Sequence, residues 1–148
     1  MTMKNLQAKD IQIKQHFPDK ISAIHGTGHL LAENGYTELG YIEEMIKRDQ
    51  MTSTYIGNLV AIPHGTDDSQ PLIKASGIVI SQVPEGVDFD GNLVKVIIGI
   101  AGIGEEHLEL LSTIAIVCSD LANVEAIVQA ETPEEIIEIF KENGDDHE

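Results

Sequence analysis

The sequence has one cysteine, no tryptophan and few basic residues. Cys118 by itself cannot form an internal disulfide, and one thiol cannot build a structural zinc site. Aromatic residues make up only 4% of the chain, which leaves too few stacking platforms for single-stranded nucleic acid. Nine lysine and arginine residues stand against twenty-five aspartate and glutamate residues, so the net charge is -16. Such a surface repels phosphate backbones and anionic lipids, and we expect neither nucleic-acid binding nor membrane-surface binding.

Long hydrophobic runs, linkers and internal repeats are also missing. The longest strictly apolar segments, such as 114–118, are only a few residues long, which excludes an ordinary membrane span. The first ten residues are polar and carry no basic-plus-apolar signal pattern, so we expect a cytoplasmic chain without direct membrane insertion. The length of 148 residues and the hydrophobic share of 42% suit a single domain, residues 1–148, with its own core.

The hydrophobic pattern predicts strands and helices in a mixed order. Alternating or β-branched segments predict strands over residues 10–15, 58–62, 76–83 and 93–101. Apolar residues at helical spacing predict helices over residues 19–34, 37–48, 105–121, 124–130 and 133–141. Between the last two strands, Pro84–Asn92 contains glycine and aspartate and predicts a loop. The whole predicts a sheet of four or five strands covered by helices, an α/β or α+β layer fold.

Residue types at the helix ends support these assignments. Gly35 is expected to end the first helix, and Thr37 to cap the second. Arg48 falls in the last turn of that second helix, where a cation favours the helix dipole. Thr132, followed by a proline and then by Glu135 three positions later, predicts a capping box.

The helix predicted over 105–121 is expected to turn Leu108, Leu111, Ala115 and Cys118 toward the core. Apolar surroundings disfavour the thiolate. Cys118 is therefore interpreted as a buried core thiol rather than a nucleophile.

One histidine stands in a distinctive context. An apolar strand ends at Pro63, and His64 follows immediately before Gly65. Proline fixes the approach of the chain, and glycine lets the backbone turn and keeps bulk away from the imidazole. Functional groups in α/β folds commonly lie at strand ends, and a neutral imidazole is a nucleophile at cellular pH. The alternative interpretation is an ordinary turn histidine at the end of a strand.

Two further residues are candidates for the same site. His107 follows the strand predicted over 93–101 and begins a helix, so the two histidines converge if their strands are neighbours. Arg48 is one of few cations and is able to bind a phosphoryl group through two nitrogens. Each has a simpler alternative: His107 as a surface residue, and Arg48 as a surface charge that favours the helix dipole.

Other familiar motifs are not found. The chain has no phosphate-binding glycine-rich loop, no paired-cysteine motif and no EF-hand loop, so no cofactor is expected. A catalytic zinc usually needs three protein ligands, and nothing in the sequence fixes a third beside the two histidines, so no metal is expected. His16, His25, His29 and His147 lack comparable surroundings and are interpreted as surface or helix-packing residues.

The motifs around these candidates resemble a known family. Residues 51–57 read Met-Thr-Ser-Thr-Tyr-Ile-Gly and residues 61–66 read Ala-Ile-Pro-His-Gly-Thr. Residues 82–87 read Gln-Val-Pro-Glu-Gly-Val, 106–108 read Glu-His-Leu, and 132–135 read Thr-Pro-Glu-Glu. Together they resemble the enzyme IIA domain of the sugar phosphotransferase system, mannitol type, over nearly the whole chain. The resemblance implies a mixed sheet of about five strands flanked by helices on both faces.

The resemblance also implies a phosphoryl relay. The phosphocarrier protein HPr carries phosphate on a histidine, and the IIA domain accepts it on a histidine of its own. By match of motif this acceptor is His64, attacking through Nε2, while His107 and Arg48 match the second histidine and the arginine of the family's active site. The phosphate passes next to a cysteine of the mannitol enzyme IIB domain. The chain lacks an apolar span, so we expect the membrane permease, enzyme IICB, to be a separate chain.

Alternatives stay open within and outside this family. A fructose-type or nitrogen-regulatory IIA module is one, in which phosphorylated His64 controls docking to a regulator. A plain hydrolase is less favoured, because no nucleophile, base and acid stand at defined spacing. The acidic surface adds an expectation: Asp67 and Asp68, close to His64 in the chain, should point away from a phosphohistidine or contact a basic partner.

Overall fold

The structure, a computed structural model, describes residues 6–144. Its strands are β1 (Ile11–Gln12), β2 (Tyr55–Gly57), β3 (Val60–Ala61), β4 (Gly77–Phe89) and β5 (Asn92–Ala101). Its helices are α1 (Lys20–Glu33), α2 (Tyr41–Met51), α3 (Glu105–Cys118), α4 (Leu121–Gln129) and α5 (Pro133–Gly144). Two short 3-10 helices cover Ala8–Asp10 and Asp67–Leu72.

The five strands form one mixed sheet in the order β1-β4-β5-β3-β2. The long β4 and β5 are antiparallel, whereas β1 runs parallel to β4 and β3 runs parallel to β5. The edge strand β2 pairs antiparallel with β3. This confirms the mixed sheet of about five strands, and it makes the two strands that precede His64 and His107 direct neighbours.

Each face of the sheet carries its own hydrophobic core. Alternate residues of a strand point to opposite faces. Ile78 and Ile80 of β4 therefore pack with α3, α4 and α5, while Val79 between them packs with α1 and α2. The helices thus flank both faces of the sheet, as the resemblance implies.

The loop predicted over Pro84–Asn92 is wrong. The strand β4 continues to Phe89, and β5 begins at Asn92 after a tight turn at Asp90 and Gly91, whose φ angles are 57° and 97°. An Asp-Gly pair with positive φ at both residues is a strong hairpin signal. A register shift between Gln82 and Val87 interrupts the ladder. Because of this irregularity and of Pro84 within it, the sequence pattern predicts a loop where the structure has one continuous hairpin.

The helix predicted over 105–121 is also corrected. It ends at Cys118, and α4 begins at Leu121, capped by the Asp120 side chain, which accepts a hydrogen bond from Ala122 N at 3.0 Å. The predicted inward face was shifted, since Leu108 is 66% exposed and the α3 residues in the core are Leu110, Thr113, Ile114, Val117 and Cys118. The apolar residues of α3 are more numerous than its buried ones, so periodicity alone did not select the face.

Other boundaries differ more modestly. Thr37 does not cap α2, because that helix begins at Tyr41 after Gly40, and Thr37 instead pairs with Ile73 in an isolated bridge. The first strand is shortened to two residues. The strand β2 and the 3-10 helix at Asp67–Leu72 were not predicted, because each is too short to show a periodic pattern.

Two predicted helix ends are confirmed. Gly35 follows α1 with a φ of 85° and donates its N–H to Ala32 O at 3.1 Å. Thr132 Oγ1 accepts a hydrogen bond from Glu135 N at 3.3 Å at the start of α5. The Glu135 side chain accepts from Glu131 N at 2.9 Å and not from Thr132 N, so only one half of the predicted capping box forms. Among the described residues, no single helix is long and apolar enough to cross a membrane, although α3 and α4 together meet that test on length and composition across a 90° bend.

Candidate functional site

The end of β5 holds His64 in place. After β3 ends at Ala61, the chain passes Pro63, whose carbonyl accepts a hydrogen bond from Ile100 N at 3.0 Å. His64 itself forms a parallel bridge with Ile100. The side chain of His64 is half-buried, so the imidazole is fixed at its base and still accessible.

A hydrogen bond defines the tautomer of His64. The ring atom Nδ1 lies 2.8 Å from Ile62 O. A backbone carbonyl has no proton to give, so Nδ1 must carry the hydrogen and donate it. In the neutral ring, Nε2 then keeps its lone pair. The loop therefore presents one free nitrogen of a neutral imidazole.

The surroundings of His64 favour this neutral form. Burial lowers the pKa of His64 below its ordinary value of 6.5, and the nearby His107 and Arg48 lower the pKa further. The hydrogen bond to Ile62 and the charge of Asp67 raise the pKa of His64, but burial is the larger effect. The net direction is downward, so the imidazole is uncharged at neutral pH and its lone pair is available.

His107 lies beside His64 at the start of α3. The two ring centroids are 5.1 Å apart and the ring planes are inclined by 56°. The start of α3 packs closely on Gly102, because a Cβ atom on Gly102 would lie 2.7 Å from His107 Cβ and 2.9 Å from His107 N. Burial lowers the pKa of His107 as well. The sequence-based expectation that the two strand ends bring the histidines together is therefore met.

Arg48 completes the group of three predicted residues. It lies in the last turn of α2, and its Nη1 donates a hydrogen bond to Thr52 O at 3.2 Å. Arg48, His64 and His107 line one open cavity of about 340 Å³. The charge of Arg48 is close enough to lower the pKa of both histidines.

Asp67 lines the same cavity, so of the two expectations for this residue, pointing away is wrong and contact with a basic partner stays a prediction. Its negative charge raises the pKa of both His64 and His107, opposing the larger effect of burial. Asp68 lines a separate neighbouring cavity instead. The local charge at the histidines is thus a balance between one arginine and one aspartate.

Two residues of the site, the buried Tyr41 and the exposed Gln70, were missed by the sequence analysis. The Tyr41 hydroxyl accepts a hydrogen bond from Gly65 N at 2.8 Å and donates one to Ile100 O at 2.9 Å. Gln70 Nε2 donates to Gly102 O at 2.8 Å, so the 3-10 helix after His64 contacts the loop before His107. No local signal in the sequence links these residues to the histidines, since each acts through a backbone group far along the chain.

The remaining candidates lie outside the site. Cys118 is buried in the core, and burial raises the pKa of its thiol to about 12, which confirms its interpretation as a core thiol. His25 and His29 are exposed on α1, and His16 is exposed before it. His147 lies outside the described residues. Within residues 6–144, no group of three or more histidine, cysteine, aspartate or glutamate residues is arranged to hold a metal ion.

Comparison with known proteins agrees with this fold. The sequence pattern described as "Phosphoenolpyruvate-dependent sugar phosphotransferase system, EIIA 2" matches residues 4–143. The chain belongs to this family of phosphotransferase-system IIA components. The resemblance to the mannitol type is confirmed by relatives at close to half identity.

Two of these relatives are named mannitol-specific phosphotransferase enzyme IIA components. The one from Geobacillus stearothermophilus is 51% identical over 96% of this chain and 99% of its own. The one from Bacillus subtilis is 43% identical over 95% and 99%. Among solved structures, IIA mannitol from Escherichia coli superposes with a TM-score of 0.86 at 29% identity, over 92% of this chain and 99% of its own.

Proposed function

We propose that this chain, as one IIA domain, is a phosphoryl carrier for mannitol uptake. It accepts the phosphoryl group from phospho-HPr on Nε2 of His64 and passes it to a cysteine of the mannitol enzyme IIB domain that serves a membrane permease. The observation that carries this proposal is the hydrogen bond between His64 Nδ1 and Ile62 O, which leaves Nε2 as the free nucleophilic nitrogen beside His107 and Arg48.

The transfer is a direct exchange of one phosphorus bond for another. The lone pair of His64 Nε2 attacks the phosphorus, the P–N bond of the donor phosphohistidine breaks, and its electron pair returns to the donor ring. His64 then bears the phosphoryl group on Nε2 and a hydrogen on Nδ1, so the ring gains positive character. The Ile62 carbonyl faces that hydrogen and stabilises the charge. In the next step a thiolate sulfur of enzyme IIB attacks the phosphorus, and the P–N bond at His64 breaks.

Charge stabilisation falls to the two neighbours of His64. During transfer, the phosphoryl group spreads negative charge over three oxygens. Catalysis consists mainly of positioning the reacting groups and of stabilising that charge. The Arg48 guanidinium is permanently charged and suited to phosphoryl oxygens. His107, whose pKa burial lowers, is neutral at pH 7 and donates one N–H.

The acidic surface suits a basic donor. With a net charge of -16, the chain attracts a partner whose docking face is positive, and electrostatic steering raises the rate of encounter. We expect the association rate with HPr to fall as salt concentration rises. The Escherichia coli IIA domain has been solved in complex with phosphorylated enzyme IIB, and this chain superposes on it with a TM-score of 0.87 over 94% of its length, at 28% identity. That likeness supports enzyme IIB as the acceptor, and we place the transfer in the cytoplasm as part of the same proposal.

A regulatory IIA module is the second candidate function. The nitrogen regulatory protein IIA-Ntr of Neisseria meningitidis superposes with a TM-score of 0.79 at 26% identity. Both functions include phosphorylation of His64 by phospho-HPr, whereas only the transport function includes onward transfer to enzyme IIB. The mannitol-specific names of the relatives from Geobacillus stearothermophilus and Bacillus subtilis favour transport.

The experiment is to incubate the protein with phospho-HPr and measure its intact mass. We expect wild type and a His25→Ala control, altered at an exposed histidine, to gain one acid-labile phosphate. His64→Ala should gain none, and His107→Ala should gain it slowly. Adding mannitol enzyme IIB should then move the phosphate to its cysteine. No phosphate on wild type would overturn the relay, and phosphorylation without onward transfer would favour the regulatory module.

A further inference from the structure

The Tyr41 hydroxyl bridges two backbone groups beside His64. It accepts from the N–H of Gly65 at 2.8 Å and donates to the carbonyl of Ile100 at 2.9 Å. Tyr41 is only 2% exposed, and burial raises the pKa of its hydroxyl to about 12. The hydroxyl therefore keeps its proton across the physiological range and makes both bonds at once.

Hydrogen bonds fix the backbone on both sides of His64, at Pro63 and at Gly65. On one side, Pro63 O accepts from Ile100 N at 3.0 Å. On the other side, Gly65 N is bound to Tyr41, which is in turn bound to Ile100 O. Ile100 is thus the common anchor, and the peptide that carries His64 cannot rotate without breaking one of these contacts.

The ring of Tyr41 adds a steric restraint to the polar one. A Cβ atom on Gly65 would lie 2.5 Å from Tyr41 Cε1 and 2.9 Å from its Cζ. The glycine is therefore needed so that the backbone can approach the phenol closely. Packing against the ring and hydrogen bonding to the hydroxyl together define one position for the residue after His64.

Tyr41 also connects His64 to the helix that carries Arg48. Tyr41 and Arg48 are seven positions apart on α2, which is about two turns, so they share one helix face. Met45 lies between them on that face and is fully buried, which keeps the helix firmly against the sheet. One buried side chain therefore couples the loop of His64, the end of β5 and the helix of Arg48.

We propose that Tyr41 is a positioning residue for phosphoryl transfer, which holds Nε2 of His64 in line with the phosphorus and in register with Arg48. This inference rests on the proposed function, because it concerns the efficiency of the same transfer. Tyr41 lines the cavity of His64, but both hydrogen bonds of its hydroxyl go to backbone groups and not to the His64 ring. Its effect is exerted through the Gly65 peptide, and small misplacements of a reacting group reduce rates strongly, by about 100-fold for 1 Å.

The test compares Tyr41→Phe with Tyr36→Phe. Tyr36 is a matched control, because its hydroxyl also makes two hydrogen bonds, each at 3.1 Å, but to the carboxylate of Asp10. Single-turnover transfer from phospho-HPr to each folded variant is measured by rapid quench at several HPr concentrations. We expect Tyr41→Phe to lower the plateau rate about 10- to 100-fold with an unchanged half-saturating concentration, and Tyr36→Phe to leave the plateau rate unchanged.

The outcomes separate this inference from the proposed function. If wild type is phosphorylated on His64 and Tyr41→Phe transfers at the wild-type rate, the positioning role is wrong and the relay stands. A rate lowered only in proportion to the folded fraction, measured by urea unfolding, also overturns the positioning role. If wild type accepts no phosphate, the proposed function itself fails.

A measurement on wild type covers the case in which Tyr41→Phe does not fold. Amide hydrogen exchange followed by NMR should show Gly65 N–H strongly protected, and protection should persist after His64 is phosphorylated. An unprotected Gly65 amide in the wild-type protein would show that the hydroxyl does not hold this peptide, and the inference would be overturned.

Discussion

The imidazole rings of His64 and His107 lie with their centroids 5.1 Å apart. They come from different parts of the chain and meet because β3 and β5, the strands that precede them, are parallel neighbours in the sheet. Burial lowers the pKa of both rings. The pair is therefore uncharged at neutral pH and sits beside a single arginine, an arrangement suited to receive an anionic group.

Replacing Arg48 should slow phosphoryl transfer more than it weakens docking. Arg48→Ala removes the permanent charge beside His64, and loss of one preorganised donor typically lowers a rate about 100- to 1,000-fold. Arg48→Lys keeps a charge but loses the planar fork and the bond to Thr52 O, so we expect a smaller fall, about tenfold. Rapid-quench transfer from phospho-HPr measures both. Lys141→Ala, at an exposed lysine of α5, should match wild type, and an equal effect in all three variants would contradict a local role for Arg48.

The two histidines should make the protein less stable in mild acid. Their folded pKa values are lowered from 6.5, so between the lowered pKa and about 6.5 the unfolded chain binds more protons than the folded one. Stability then rises with pH. The contribution of the two histidines to the free energy of unfolding is fully present above pH 6.5. This contribution is lost as the pH falls through their lowered pKa values.

Urea unfolding at several pH values between 7 and 5 measures this effect. The double variant His64→Gln, His107→Gln should lose less of its free energy of unfolding over that range than wild type does. A control with exposed His25→Gln and His29→Gln should follow the wild-type curve. If the free energy of unfolding changes equally with pH in wild type and in the His64→Gln, His107→Gln variant, the lowered pKa values of these two histidines are refuted.

Gly102 is expected to tolerate no side chain. A Cβ atom there would overlap the backbone of His107, so Gly102→Ala should displace the start of α3 and lower stability by about 1–3 kcal/mol. Transfer from phospho-HPr should slow as well, because His107 moves with that backbone. Gly40→Ala is the matched control, since the nearest atom to its added Cβ is Leu72 Cδ1 at 3.9 Å. Thermal unfolding and rapid-quench transfer compare the two, and equal behaviour would disprove the close approach.

The Cys118 thiol should be unreactive toward thiol reagents in the folded protein. Burial raises the pKa of its thiol to about 12, and the thiolate is the reactive form. We expect a disulfide reagent such as dithionitrobenzoate to label Cys118 only after unfolding in urea. Rapid stoichiometric labelling under native conditions would contradict its place in the core. Cys118→Ala should leave phosphoryl transfer intact, because the thiol lies outside the cavity of His64.

Local patterns allowed much of the fold to be predicted. The β-branched runs gave the central strands β4 and β5, and helical spacing gave all five helices. Caps such as Gly35 and Thr132 marked helix ends because they satisfy backbone groups within a few residues. The β4–β5 hairpin was the main failure, since Pro84 and Gly86 suggest a loop, and only the cross-strand ladder from Val87 to Phe89 reveals a strand.

The sequence by itself determined that His64 follows a buried strand, that His107 begins a helix and that Arg48 ends one, because each depends on neighbours a few positions away. Only the tertiary structure decided that these three line one cavity with Asp67, since that depends on which strands pair. It alone revealed the bridge from the Tyr41 hydroxyl to Gly65 N and Ile100 O. Every residue has a backbone carbonyl, and nearly every residue has a backbone N–H, so the sequence does not show which of these groups a side chain binds. Only the folded structure shows these hydrogen bonds.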